Sequence, residues 1–189
     1  MNKPLAILVA EDNPNDTLFF KRAFSQAGID GPVIFMRDGQ EVIDYLSGEP
    51  PFNQRGSYPI PKLIILDLAM PRVSGFEVLE WIRRDAAFSN IPVLAFSGIQ
   101  RPTDITRAYS LGAKLFLVKT SDVSQWTAIL ERLAEIYGLA HTKPAGQHSR
   151  PTTVNSRFKL KPLSLLLSAY LRFRRSISKI VLLELPPEG

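Results

Sequence analysis

The order of apolar and amphipathic segments constrains this chain more than any other feature. Five short runs rich in Ile, Leu and Val occupy 5–10, 33–36, 63–66, 91–96 and 115–118, each followed by a segment whose apolar residues recur three and four apart. Near-continuous apolar strands suit a sheet covered on both faces. Helical crossovers between them demand parallel neighbours joined right-handedly. Capping chemistry marks the helix ends: Asn13 precedes Pro14, Asp38 stands three before Glu41, Ser74 stands three before Glu77, and Gly28, Gly48, Gly112 and Gly138 follow helical periods. Five such units are too few for an eight-stranded closed barrel, so the sequence predicts an open, doubly wound α/β domain. The proline-rich segment 49–61 has no periodicity and reads as a surface excursion.

Charge divides the chain in two. Residues 1–138 hold 14 Lys and Arg against 16 Asp and Glu, whereas 139–189 hold 9 against 2. A near-neutral body over 1–138 therefore carries a basic end, read as a flexible linker over 139–162 and a basic amphipathic tail over 163–189. In that tail Leu163, Leu166, Tyr170, Phe173, Ile177 and Ile180 follow a helical period, with Arg172, Arg175 and Lys179 on the other side. The absence of cysteine excludes disulfides and thiolate metal sites. No apolar run reaches the roughly 18 residues of a membrane-spanning helix, and Glu11 and Asp12 directly follow the first run, unlike a secretory leader. A soluble, cytoplasmic protein is expected.

In open parallel sheets ligands bind beyond the carboxyl ends of the strands. Glu11 and Asp12 end the first strand, Asp67 the third, Ser97 the fourth, and Lys119 the fifth, so all five are predicted on one rim. Taken singly, Asp67 is a turn former, Glu11 and Asp12 a helix entry, Ser97 a loop hydroxyl and Lys119 a surface residue. Their convergence favours a site. Three carboxylates in one crevice repel one another unless a cation joins them, and an all-oxygen donor set without histidine or cysteine points to Mg2+ rather than zinc. Such a site suits phosphoryl transfer, with an aspartate attacking phosphorus while Lys119 and Ser97 contact phosphoryl oxygens.

The acidic pair Glu11-Asp12, the strand Leu63-Ile-Ile-Leu-Asp67-Leu-Ala-Met-Pro71 with Gly75, the strand Pro92-Val-Leu-Ala-Phe-Ser97 and the segment Gly112-Ala-Lys-Leu-Phe-Leu-Val-Lys119 resemble the receiver domain of two-component response regulators over residues 3–138. The resemblance implies a flavodoxin-like (βα)5 three-layer sandwich with strand order 2-1-3-4-5. It also implies a phosphoprotein: a sensor histidine kinase or phosphotransfer protein would phosphorylate Asp67. Magnesium would be arranged by Glu11, Asp12, Asp67 and the backbone carbonyl of Ala69. Ser97 and Phe116 would form the pair that switches conformation, and Lys119 would contact the phosphoryl group. The Glu-Asp-Asn-Pro-Asn-Asp opening and the long 49–61 loop resemble single-domain regulators associated with phytochrome-type kinases. Two positions depart from the family pattern. Thr120 follows Lys119 where the family carries a cis proline, and a non-proline cis bond costs about 3 kcal/mol; Gly98 stands where alanine is commoner.

Ala69 and Ile99, two residues after Asp67 and Ser97, carry no group to align an attacking water, which predicts a long-lived phosphoryl state. The competing readings are a phosphatase or phosphotransferase with Asp67 as nucleophile, and an interaction module without phosphorylation. The first is disfavoured because such enzymes place a carboxylate two residues on, where this chain has Ala69. The protein is therefore expected to be no turnover enzyme but a relay to a downstream protein. No DNA-binding domain is evident in the 51 residues of the basic end. A homodimer, another partner or an anionic membrane surface are the contacts considered for the tail.

Overall fold

The structure, a computed structural model, describes residues 6–29, 31–98 and 101–139. Ten elements alternate strictly: β1 (Ile7–Ala10), α1 (Pro14–Gln26), β2 (Val33–Met36), α2 (Gly39–Ser47), β3 (Leu63–Asp67), α3 (Gly75–Arg84), β4 (Val93–Ser97), α4 (Pro102–Ser110), β5 (Leu115–Val118) and α5 (Val123–Tyr137). All neighbouring strands are parallel and their order is β2-β1-β3-β4-β5, a flavodoxin-like doubly wound sheet. Residue 99 and all but the first residue of the expected linker and tail lie outside the described residues.

Capping chemistry sets the starts of α1, α2 and α3 as the sequence predicts, and Asp122 adds a cap at α5 that the sequence analysis did not name. The side chains of Asn13, Asp38 and Asp122 accept hydrogen bonds from Asn15, Glu41 and Ser124 N–H, and Ser74 with Glu77 forms a complete capping box. Gly48 and Gly138 end α2 and α5 in the left-handed conformation. Helix α4 differs: Arg101 caps it without a side-chain bond, and Pro102 at its start needs no donor. The fourth strand starts later than predicted because the Ile91 N–H is taken by the Phe88 carbonyl in a turn at 2.9 Å.

Strand alternation divides the interior into two layers. Ile7, Val9, Leu63, Ile65, Leu94, Phe96 and Leu117 pack with α1 and α5. Leu8, Ala10, Ile64, Leu66, Val93, Ala95 and Phe116 pack with α2, α3 and α4. In the first layer Phe20, Phe96 and Trp126 form an aromatic cluster, with ring centroids 4.7 Å (Phe20–Trp126), 5.2 Å (Phe20–Phe96) and 5.8 Å (Phe96–Trp126) apart. Tilted and edge-on pairs of this kind add about 0.5–1.5 kcal/mol each beyond the area they bury.

Segment 49–61 runs over the surface as expected, but it is pinned. Phe52 and Tyr58 pack edge to face on each other and both contact the ring of buried Tyr45. The Tyr45 hydroxyl donates to the Pro59 carbonyl at 2.7 Å, and Arg55 donates to the carbonyls of Tyr45 at 2.7 Å and Leu46 at 2.6 Å. The guanidinium thereby adds donors to the last carbonyls of α2, of which that of Tyr45 also accepts the Gly48 N–H at 3.3 Å.

Candidate functional site

The alternation that sorts the core also sorts the rim. Glu11, Asp67 and Lys119 continue the set Ile7/Val9, Leu63/Ile65 and Leu117, so they emerge on the α1/α5 side. Ser97 continues Val93 and Ala95, and with Phe116 it belongs to the opposite layer.

Asp67 is buried at the tip of β3. Its Oδ1 accepts the Ala69 N–H at 2.9 Å, and its Oδ2 lies 2.7 Å from Lys119 Nζ. Glu11 is equally buried; Oε1 accepts the Asn13 N–H at 3.0 Å and Oε2 lies 2.8 Å from the same ammonium. Asp12 is exposed, and one carboxylate oxygen from each of Glu11, Asp12 and Asp67 lies within 4.8 Å of the others. Lys119 Nζ also donates to Asp16 Oδ2 at 3.0 Å and stands 5.2 Å from the centre of the Phe96 ring.

Burial, the largest influence, pushes the Glu11 carboxyl up to about 7, and the neighbouring Asp67 charge adds to it against the opposing effects of Lys119 and the Asn13 N–H. Asp67 is likewise raised, first by burial and then by Asp12, against the Ala69 N–H and Lys119. Lys119 moves the other way from what burial demands: contacts with Asp67, Glu11 and Asp16 hold its ammonium well above the ordinary lysine range. The rim thus carries more buried negative charge than one ammonium neutralises. A hard divalent cation fits this donor set, because the ligands are all oxygen and two of the three carboxylates, Glu11 and Asp67, are buried beside a single ammonium.

The family model described as the response regulator receiver domain matches residues 7–131. This chain belongs to that family. The receiver is 31% identical over 134 residues to the probable methanogenesis regulatory protein FilR2 of Methanothrix harundinacea, covering 71% of this chain and 84% of FilR2. It is 28% identical over 147 residues to response regulator Rcp1 of Synechocystis, covering 76% of this chain and 96% of Rcp1. The Mn(2+)-bound Rcp1 structure superposes with a TM-score of 0.63 at 26% identity, over 75% of this chain and 100% of that one. The phosphorylated cyanobacterial phytochrome response regulator RcpA superposes with a TM-score of 0.64 at 30% identity, over 71% of this chain and 94% of that one.

The receiver brings together four of the residues singled out by sequence: Glu11, Asp12, Asp67 and Lys119. Ser97 sits buried at the end of β4, one strand from Asp67, and Ala69 is exposed with its N–H on Asp67. Phe116 lies on the edge strand but is fully buried, and its N–H donates to the Tyr109 hydroxyl of α4 at 3.2 Å. The Lys119–Thr120 bond is trans, since the one cis peptide among the described residues is Pro50–Pro51. Sequence reading missed two contributors, Asp16 and Arg72. Asp16 heads the buried stripe Phe20, Ala23 and Phe24 of α1, and a charged residue one turn above such a stripe was its signal. Gly75, which the sequence had already singled out, passes so close to β3 that a Cβ would stand 2.2 Å from the Asp67 carbonyl oxygen. Arg72, at φ 61°, pairs with Asp38 through Nε at 2.8 Å and through a second guanidinium nitrogen, tying the loop after β3 to the start of α2. No local pattern announces that pair.

Proposed function

We propose that this receiver accepts a phosphoryl group on Asp67 from a sensor histidine kinase or phosphotransfer protein, in a Mg2+-dependent reaction, and relays the event by contacts with a downstream protein. The observation that carries this reading is the placement of the Asp67 carboxylate at the strand tip, in contact with Lys119 and within reach of the Glu11 and Asp12 carboxylates. The phosphorylated state of RcpA and the Mn(2+) bound to Rcp1 support it by likeness. RcpA is by description a phytochrome response regulator, which makes a photoreceptor kinase the first donor to test.

In the proposed transfer an oxygen of Asp67 attacks phosphorus, an O–P bond forms as the donor's N–P bond breaks, and the donor imidazole leaves with the bond's electron pair. Lys119 neutralises charge on the phosphoryl oxygens, and Ser97 donates to one of them. Glu11, Asp12, Asp67 and the Ala69 carbonyl would hold Mg2+, which supplies electrostatic neutralisation of the phosphoryl oxygens. Ala69, having only a methyl group, leaves the acyl phosphate without a water-orienting neighbour. Ser97 and Phe116 lie on the layer of α4, so a pull on Ser97 by a phosphoryl oxygen biases the packing of β5 against α4, and a few kcal/mol suffice to shift such a population. A kinase that draws on ATP works in the cytoplasm, and this reading places the receiver there.

Incubation with a small acyl phosphate and MgCl2, followed by intact mass measurement, tests the reading. Wild type should gain one HPO3 unit and Asp67→Asn none. Equal labelling of both proteins, or a wild type that never gains mass with donor and cation in excess, would refute it.

A further inference from the structure

Lys119 is held by three carboxylates that are not equivalent. Glu11 and Asp67 belong to the set that can share a cation, whereas Asp16 does not. Asp16 stands apart on the first turn of α1, with 40% of its side chain exposed, across a cleft of about 310 Å³ that Asn15, Thr120, Ser121 and the aromatic cluster also line. Its Oδ2 accepts a hydrogen bond from Lys119 Nζ at 3.0 Å, beside the ion pairs that the same ammonium makes with Asp67 at 2.7 Å and Glu11 at 2.8 Å.

A lysine ammonium is a compact point charge on a flexible four-carbon stem. Once Glu11 and Asp67 give their negative charge to a divalent ion, their attraction for Lys119 falls and the ion itself repels it. With no other counter-charge the side chain would move out to water and lose rotamer order that it must recover at each transfer. The apolar floor of Phe96 strengthens any remaining ionic contact on that side, because it keeps the local dielectric low. Asp16 is the carboxylate in contact with Lys119 whose charge is not claimed by the cation set.

We propose that Asp16 is a positioning residue that retains the Lys119 ammonium at the rim when a cation takes up Glu11 and Asp67, and so keeps it ready for the incoming phosphoryl oxygens. This inference rests on the reading of Asp67 as phosphoacceptor and adds to it a residue outside the cation set.

A double-mutant cycle on the full chain tests it, using Asp16→Asn, Lys119→Ala, the double variant and Asp16→Glu, with thermal melts to show that each is folded. The phosphorylation rate is read by intact mass with acyl phosphate and saturating MgCl2. Contacting pairs of this kind couple strongly enough that Asp16→Asn should slow wild type about tenfold, leave the Lys119→Ala background unchanged, and be partly rescued in Asp16→Glu. A second readout needs no phosphoryl transfer: with Mg2+ present, acylation of the Lys119 amine by an amine-reactive probe should be several-fold faster in Asp16→Asn, since the amine is no longer held. Equal slowing in both lysine backgrounds would place Asp16 on the cation or the donor instead and overturn the proposal. So would an unchanged rate together with unchanged amine reactivity. A wild type that is never phosphorylated refutes the phosphoacceptor reading itself, an outcome distinct from either.

Discussion

Replacing Glu11 by Gln should stabilise the protein, although it removes an ionic contact. The Glu11 carboxyl rises from its ordinary 4.5 to about 7, with burial outweighing Lys119. A carboxyl whose folded value is raised binds more protons folded than unfolded between those limits, so stability is lost as pH rises through that window. At 1.36 kcal/mol per unit the charged Glu11 costs at most about 3 kcal/mol of stability above the window. Glutamine keeps the shape and carries no charge, so Glu11→Gln should gain most of that at about pH 8, a rise in melting temperature of about 10 °C for a domain of this size. The gain should shrink to under about 1 kcal/mol at about pH 5, where Glu11 is largely protonated when folded. Urea titrations of both proteins in EDTA at the two pH values measure this. Adding MgCl2 should then stabilise wild type by mass action and leave the variant far less changed. A variant no more stable than wild type at the higher pH, or a difference independent of pH, would refute the electrostatic account of the rim.

Gly75→Ala should cost about 1–3 kcal/mol in chemical denaturation and slow phosphorylation, because the added methyl meets backbone 2.2 Å away that must shift at Asp67 itself. Ala69→Asn should shorten the phosphoryl lifetime by roughly 10-fold to 100-fold in a phosphate-release assay, since an amide there can orient water; loss within seconds from wild type would contradict the long-lived state. Tyr45→Phe should lose about 1 kcal/mol and speed amide exchange in the 49–61 loop, because the bond to the Pro59 carbonyl at 2.7 Å goes with the hydroxyl.

The fold was legible because each element announces itself locally. Asn13, Asp38 and Ser74 stop the chain at helix starts, and runs such as 63–66 leave no alternative to a buried strand. The rim was legible for a related reason: Glu11, Asp67 and Lys119 follow directly on apolar strands whose parallel pairing fixes where their ends lie. What escaped depends on approach between distant segments. Asp16 meets Lys119 across 103 positions and Arg72 meets Asp38 across 34, distances over which composition carries no information. The pinning of 49–61 escaped because Phe52 and Tyr58 are lone aromatics without period, and only the ring of Tyr45 gives them a common target.

Because neighbouring positions on a strand face opposite layers, the spacing between Leu63 and Asp67 works as an odd-even count. Inserting one residue there would turn the carboxylate toward α2, α3 and α4 and strand it away from Lys119, whereas inserting two would restore its side at the expense of register with β1. An added residue is therefore tolerated in the connections before it is tolerated in β3, and the 49–61 segment, anchored by its own aromatic trio, is one such connection.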